Sequence, residues 1–355
     1  MTDTPIVTLA GARDGGDRTY PPSWVNVLTV WMERLPGPTW LAYIVGAMLG
    51  LGLSAVVGAE EPTLQRAGAG PAAYYALLPF AVIGMVHLLD RSASRAISSL
   101  RPRLSLDDAQ VAQVRYELTV VPARPALVIA GLALVVGPPA YAADPDGSGI
   151  VGLSLTALAF RWLWEALVSA VFLILIYHTF RQLRWIERIH EAIAGVDIFD
   201  QAPLYAMSRV TSGTATGLLV LLAPSAFLVP SGANSTTLAI TGAWYLFAVG
   251  VAGAFFILPL RGMHGVLAAE KRRRQGEIGR RLTANMEALH ASVDAADGVA
   301  IEVRTKALAA LLAERDVVNR VPTWPWSTGA LTGFLSAVLL SIGLWLATRV
   351  LERFV

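Results

Sequence analysis

The chain of 355 residues is 55% hydrophobic and only 15% charged, carries a formal net charge of +2, and contains no cysteine. Soluble domains carry about 25% charged residues, so this composition excludes an ordinary soluble protein. The lack of cysteine excludes disulfides, thiolate metal sites and thiol nucleophiles.

Seven stretches of the chain are apolar enough to cross a bilayer, whose hydrocarbon core takes about 20 residues of helix. The sequence therefore predicts an all-α, polytopic membrane protein with seven transmembrane helices. The first six belong to a transmembrane region, 40–260, with cytoplasmic extensions at 90–123 and 181–213. The seven stretches are 40–58, 73–89, 124–142, 159–180, 214–231, 237–260 and 328–350.

The basic residues predict how the helices are oriented, because Lys and Arg concentrate in cytoplasmic loops. Of the 28 Lys and Arg residues, 24 fall in segments 1–39, 90–124, 181–213 and 261–326, which seven crossings place on one side. We therefore expect a cytoplasmic N-terminus and an outer C-terminus. A composition with only two lysines suggests a GC-rich prokaryotic genome, and hence the cell (inner) membrane as the location.

Short helices are predicted at two places before the third crossing. Residues 24–35, within the N-terminal segment 1–39, have the pattern of a helix lying in the cytoplasmic interface, or of a simple lead-in to the first crossing. Ser105 is expected to cap a short helix in the loop after the second crossing, with Asp108 at the third helical position as in a capping box. Gly46 and Gly50 in the first crossing predict close helix packing.

Charged and imidazole side chains near the membrane raise the question of a functional site. Arg161 and Glu165 lie four residues apart at the outer end of the fourth crossing; intramembrane charges are often functional, but this spacing predicts a structural ion pair. His87, His178 and His264 fall at the inner ends of crossings two, four and six. They could hold haem or a metal, but no carboxylate pattern accompanies them, so no cofactor is predicted.

The sixth crossing continues inward into a charged region with heptad-like apolar spacing. Between Ile278 and Val293 apolar residues recur every three or four positions, and residues 294–298 read DAADG, a turn. A return helix is expected from Val299 to about Asn319. The sequence thus predicts a cytoplasmic helical hairpin, 261–320, whose apolar stripes pack on each other and on neighbouring copies of the chain.

The loop 321–327, VPTWPWS, separates that hairpin from the last crossing. Pro322 and Pro325 stop the return helix, Trp324 and Trp326 fall at headgroup level, and Ser327 is placed to cap the next helix. We predict a fixed elbow that couples the hairpin to the last helix. The alternative is an aromatic belt pair without a coupling role.

The last segment, 328–355, contains a crossing with small and weakly polar residues along one side. Such a stripe can pack closely against other helices, or line a narrow water-filled path with an apolar constriction that gates by dewetting. The residues predicted to line such a pore are Thr332, Ser336, Leu340 and Gly343, with Leu340 as the constriction.

Several classes of function are excluded or disfavoured. No nucleophile motif, HExxH pattern or phosphate loop is present, so an enzyme is not expected. The only lysines are Lys271 and Lys306, outside every crossing, which excludes a retinal Schiff base. The expected partners are the lipid bilayer and copies of the chain, with ions or a small ligand as further candidates and no nucleic acid.

In its layout the chain resembles the insect olfactory and gustatory receptor superfamily of seven-helix ion channels. It shares the inside N-terminus, the extended fourth and sixth helices, and a cytoplasmic helix leading into a C-terminal last crossing. Its last helix, STGALTGFLSAVLLSIGLW, lacks that family's Thr-Tyr…Gln-Phe signature. The resemblance implies four subunits joined by a cytoplasmic anchor, with the last helix lining a central cation pore.

The sequence thus predicts a homo-oligomeric, channel-like membrane protein, and the resemblance implies a tetramer. The main alternative is a non-conducting signalling or scaffold protein whose hairpin binds a cytoplasmic partner. A monomeric transporter, and a membrane enzyme or haem protein, are further alternatives.

Overall fold

A computed structural model describes residues 20–59, 69–104, 106–143, 152–191, 198–199, 202–228 and 235–351. This part of the chain is helical and forms no strand beyond an isolated bridge between Pro22 and Pro122. Its α-helices are α1 Trp24–Glu33, α2 Thr39–Ala59, α3 Ala69–Leu100, α4 Asp108–Thr119, α5 Ala123–Ala143, α6 Leu155–Glu191, α7 Ala202–Leu222, α8 Ser235–Ile257, α9 Arg261–Asp294, α10 Gly298–Arg320 and α11 Thr328–Leu351.

Five helical stretches of the described residues are long and apolar enough to cross a membrane. The all-helical class predicted from the sequence is confirmed, and these five stretches are compatible with a membrane-embedded protein. The fourth stretch runs from α8 through a short 3-10 turn into α9. The five are Thr39–Ala59, Ala73–Leu100, Leu155–Ile186, Thr241–Asp294 and Thr328–Ala347.

The other two predicted crossings, 124–142 and 214–231, are not among these five and stay predictions. The first lies within α5, a helix of 21 residues whose stretch Ala123–Val136 is apolar. The other prediction begins in α7 and passes into a 3-10 turn, Ala223–Leu228. Pro224 lies in this turn, and proline has no N–H to continue an α-helical ladder.

Helix α1 buries two polar residues beside the apolar Val25 and Met32 and leaves other apolar side chains exposed. Its polar residues Asn26 and Thr29 are buried, whereas Val27 and Trp31 are exposed. The Asn26 amide donates to the Thr119 carbonyl at 3.0 Å and accepts from the Val121 amide at 2.9 Å, which ties α1 to the α4–α5 junction. An outward apolar face is the pattern of a helix lying in a membrane interface.

The helix after the second crossing begins at a different cap from the one predicted. Asp107, not Ser105, is the N-cap of α4. Its carboxylate accepts from the Gln110 amide at 2.7 Å, and the Gln110 side chain accepts from the Asp107 amide at 3.0 Å. Ser105 lies outside the described residues. Both residue types cap helices well, and Gln110 at the third helical position completes the reciprocal box for Asp107.

The core is centred on α3, which packs against α2, α4, α6 and α7. Ile97, Leu118 and Ile186 are fully buried where α3, α4 and α6 meet. By contrast α2 is peripheral and docks through its glycines: a Cβ at Gly46 would lie 2.5 Å from the Phe80 ring, and one at Gly50 would lie 2.8 Å from Trp164. Close approach there requires the missing side chains.

The hairpin consists of α9 and α10, joined by a turn at residues 295–297. Asp297 caps α10 by accepting from the Ala300 amide at 3.0 Å. Within the hairpin, the buried Asn285 side chain donates to the Arg304 carbonyl at 2.9 Å. A single buried asparagine between two helices favours one register over its neighbours.

Candidate functional site

The elbow between α10 and α11 lies within a stack of aromatic side chains. Five rings form a continuous face-to-face stack whose planes lie within 14° of one another at each step. The centroid distances are 4.8 Å from Phe334 to Phe256, 5.3 Å from Phe256 to Trp326, 4.5 Å from Trp326 to Trp324, and 4.2 Å from Trp324 to His264.

The stack connects three elements that are far apart in sequence. Phe334 belongs to α11, Phe256 to the end of α8, and His264 to the first turn of α9. The two elbow tryptophans fill the space between them. The stack therefore joins the last helix to the base of the hairpin. Aromatic pairs of this kind contribute about 0.5–1.5 kcal/mol each to stability beyond the burial of their surface.

Polar contacts hold the elbow to α9 as well. The Lys271 ammonium donates to the carbonyls of Asn319 and Val321, both at 2.8 Å, and so satisfies carbonyls at the C-terminus of α10. His264 Nδ1 lies 3.1 Å from the Thr323 carbonyl. A cation at a helix C-terminus also interacts favourably with the helix dipole.

The remaining predicted elbow residues lie where α11 begins. Pro325 is buried between the two tryptophans in sequence, Pro322 is exposed, and the Ser327 hydroxyl accepts from the Ala330 amide at 3.2 Å. Ser327 therefore satisfies one of the free N–H groups in the first turn of α11.

One face of α11 packs into the protein. Phe334, Ala337 and Ser341 are buried on it, and the Ser341 hydroxyl lies 3.2 Å from the Leu219 carbonyl of α7. This face provides the contact between the last helix and the rest of the chain.

The predicted pore-lining residues lie on a different, exposed face of α11. Thr332, Ser336, Leu340 and Gly343 are all exposed, and Leu340 is 46% exposed. Space around the glycines is open: a Cβ at Gly329, Gly333 or Gly343 would meet no atom within 4 Å. We call this face, defined by Gly329, Thr332, Gly333, Ser336, Leu340 and Gly343, the small-residue face.

A third face of α11 differs in character. Leu335, Leu339 and Leu346 are exposed, and the centre of this group lies about 90° around the helix from the centre of the small-residue face, with Leu339 bordering Thr332. The exposed surface of α11 is thus divided into a bulky apolar band and a small, weakly polar stripe. The four predicted lining residues lie together on the small, weakly polar stripe.

The three histidines that the sequence predicts at the inner ends of the crossings occupy separate sites. His87 lies 2.9 Å from the Glu33 carboxylate and 2.6 Å from the Tyr43 hydroxyl. His178 is fully buried and lies 2.6 Å from the Asp90 carboxylate. No group of three or more potential metal ligands occurs among the described residues.

These carboxylate partners of His87 and His178 were not foreseen from the sequence. Glu33 precedes His87 by 54 residues, and Asp90 precedes His178 by 88 residues. Local spacing carries no signal for such pairs, because they depend on which helices pack together. The Glu33 carboxylate also accepts two hydrogen bonds from Arg91, at 2.9 and 3.2 Å. Burial raises the pKa of Glu33, but the hydrogen bonds from Arg91 and the contact with His87 outweigh it, so the pKa is lowered.

A further buried cluster ties the N-terminal segment to α6. The Arg181 guanidinium contacts the Glu117 carboxylate, the Tyr20 hydroxyl and the Val120 carbonyl. Burial raises the pKa of the Tyr20 hydroxyl above its ordinary value, so the group stays neutral and donates to Glu117 at 2.9 Å. A neutral donor and a paired cation make this a structural cluster.

Arg161 and Glu165 lie one turn apart on α6, as their spacing requires. Their pairing with each other stays a prediction.

Comparisons with known proteins provide no relative from which a function could be transferred. No family model matches the chain, and no curated protein or solved structure matches it significantly. The function has to be inferred from the geometry of the chain itself.

Proposed function

We propose that the protein is a homo-oligomeric, channel-like membrane protein in which α11 lines a central ion pathway. The observation that supports this proposal is the small-residue face of α11, which points away from the protomer. Four copies arranged around an axis, as in the channel superfamily that the layout resembles, would bring these faces together.

The physical argument rests on what a lipid-facing surface normally carries. Exposed residues of α2 are bulky and apolar, among them Met48, Leu49 and Val56, and such side chains suit contact with acyl chains. The glycines, Thr332 and Ser336 of α11 offer lipid little apolar surface. They suit close contact with another helix or a narrow aqueous path.

In the proposed topology the chain crosses the cell membrane seven times, with a cytoplasmic N-terminus and an outer C-terminus. In addition to the five long apolar helices, the other two crossings would be α5 and the segment 214–231, which begins in α7. The distribution of Lys and Arg supports this orientation.

The hairpin is the proposed cytoplasmic anchor. Most of its surface is exposed in the single chain, including Val299 at 77% and Val303 on α10. The elbow stack would transmit the position of this anchor to α11.

The chain's lack of cysteine permits a direct cross-linking test of the oligomer. Ser336→Cys places one thiol on the small-residue face, and Leu335→Cys places one at the same depth, about 100° around the helix. Disulfides need Cβ atoms about 3.5–4.5 Å apart. The nanodisc particle should first be shown by its mass to contain an oligomer. We then expect oxidation to cross-link protomers through Cys at 336 and not through Cys at 335.

A monomeric particle, or equal cross-linking at both positions, would remove the support for a central α11. That result would instead favour the second candidate function, a non-conducting scaffold. The observation that favours a scaffold is an exposed seam of α10 at heptad spacing, interrupted by Lys306 and formed by Val299, Val303, Ala310, Ala313 and Val317. In that case Val303→Glu would abolish binding of a cytoplasmic partner without changing the particle mass.

A further inference from the structure

A long groove lies between α2, α3 and α7, away from α11. Its volume is about 780 Å³, within the usual range of ligand sites, about 300–1,000 Å³. Along α3 it extends from Leu77 to Arg91, fourteen residues, which corresponds to about 21 Å of helix. That length exceeds one leaflet of the roughly 30 Å hydrocarbon core.

The groove is apolar along its shaft and polar at one end. The shaft is formed by side chains such as Leu77, Ala81 and Val220, with glycine at positions 84 and 217. At the opposite end from Leu77 lie Thr39, Tyr43, His87 and Arg91. An apolar shaft with one polar end matches the polarity of a lipid molecule in a single leaflet.

The polar end carries an excess of positive charge. Arg91 is paired with Glu33, but these contacts use at most three of its five N–H donors, and its side chain stays 44% exposed. Arg95 follows one turn later on the same face of α3 and is also exposed. No ion pair of Arg95 occurs within the described part of the chain.

A third arginine reaches the same level from α7. A Cβ at Gly217 would meet Met85, and one at Gly213 would meet Leu89, so α7 runs antiparallel to α3 in a fixed register. The same register places Arg209, one turn before Gly213, beside Ala93, between the levels of Arg91 and Arg95. Arg209 is exposed.

We propose that this groove binds an anionic phospholipid, with one acyl chain along α3 and the phosphate at Arg91, Arg95 and Arg209. Basic pockets between membrane helices recognise anionic headgroups in this way. At this end the Glu33 carboxylate pairs with Arg91 and the Asp90 carboxylate pairs with His178, which leaves Arg95 and Arg209 for the lipid. The leaflet concerned is the one at the α4 end of α3.

The proposal is tested by native mass spectrometry of the full chain in mild detergent, titrated with phosphatidylglycerol or phosphatidylcholine. We expect saturable binding of phosphatidylglycerol, one copy per protomer, and much weaker binding of phosphatidylcholine. The double variant Arg95→Gln, Arg209→Gln should lose about fivefold in affinity for each arginine removed. The matched control is Arg272→Gln, Arg280→Gln, two exposed arginines of α9, which should bind as the wild type does.

A second variant tests the shaft separately from the charges. Ala81 is exposed and lines the groove, so Ala81→Phe should fill it and reduce phosphatidylglycerol binding while leaving all arginines in place. Inorganic phosphate alone should give no comparable binding. The proposal is overturned if both arginine double variants lose affinity equally, if Ala81→Phe binds normally, or if phosphate alone binds as well as the lipid. None of these outcomes depends on whether the protein oligomerises or conducts.

Discussion

The indole rings of Trp324 and Trp326 lie face to face, with centroids 4.5 Å apart and planes 10° from parallel, although Pro325 separates them in sequence. Pro325 is buried, and its ring fixes φ near −65°. This single-proline spacing lets both indoles enter one stack between the hairpin and the last helix. The elbow is therefore held by packing on both sides of the proline and not by the proline alone.

Replacing the ring at the centre of this stack should destabilise the protein. Trp326→Ala removes the ring that stacks on Phe256 on one side and on Trp324 on the other. We expect the free energy of unfolding to fall by about 2 kcal/mol, which is below the usual 3–5 for a fully buried tryptophan because Trp326 is half-buried. Thermal unfolding in nanodiscs would measure it. The control, Trp40→Ala, removes an indole that is 61% exposed and should cost far less. Equal losses would show that the stack has no special role.

The two lysines of the chain form a natural pair of test and control. Lys271 donates to two carbonyls at the end of α10, whereas Lys306 forms a surface pair with Glu302 on its own helix. Lys271→Met should cost about 1 kcal/mol and speed amide exchange in the last turn of α10, because those carbonyls lose a charged donor. Lys306→Met should change exchange little, since exposed pairs contribute about 0–1 kcal/mol. Hydrogen exchange of residues 314–321 distinguishes the two.

The Glu33 carboxylate predicts a dependence of stability on pH. Its pKa is lowered in the folded protein from an ordinary 4.5, despite some burial, by hydrogen bonds from Arg91 and His87. A lowered folded pKa means that the stabilisation is fully present above the ordinary value and is lost as pH falls through the folded pKa. At pH 7 the wild type should therefore melt above Glu33→Gln, by an amount within the small range of exposed ion pairs.

Acidification should remove that difference. Below the folded pKa of Glu33 the two proteins carry the same charge at this position, so their melting temperatures should converge. A gap that persists unchanged at the lowest pH would mean that the glutamine variant is destabilised by shape and not by lost charge.

Local patterns predicted the elements around the elbow closely. The return helix expected from Val299 to about Asn319 is observed as Gly298–Arg320, and the last crossing expected at 328–350 is observed as Thr328–Leu351. Prolines, turn residues and apolar runs determine such boundaries, and they act over a few residues. The stacking of Trp324 on His264, by contrast, joins residues 60 apart and depends on how α9 meets the elbow.

The contacts that the sequence could not provide are those between helices. Arg181 meets Tyr20 across 161 residues, and His178 meets Asp90 across 88. A buried charged side chain pairs with a residue of whichever helix packs beside it. Residue type and spacing along the chain therefore do not specify the pair. The cap of α4 shows the same limit locally, since Ser105 and Asp107 both suit a cap, and the choice depends on where the first turn begins.

A final prediction concerns conduction through the proposed oligomer. Leu340 is the largest residue of the small-residue face, so copies of it around an axis would form an apolar constriction that closes by dewetting. Leu340→Ser should hydrate this point and raise the resting current in planar bilayers well above that of the wild type. Leu339→Ser is the matched control: it makes the same chemical change at the neighbouring position, about 100° around the helix, on the bulky apolar band. A leak specific to position 340 would place that face on the pathway, because a general destabilisation would affect both variants. Silent membranes with both variants, in an oligomer shown to cross-link at 336, would instead assign the small-residue face to helix packing and leave the protein without a pore there.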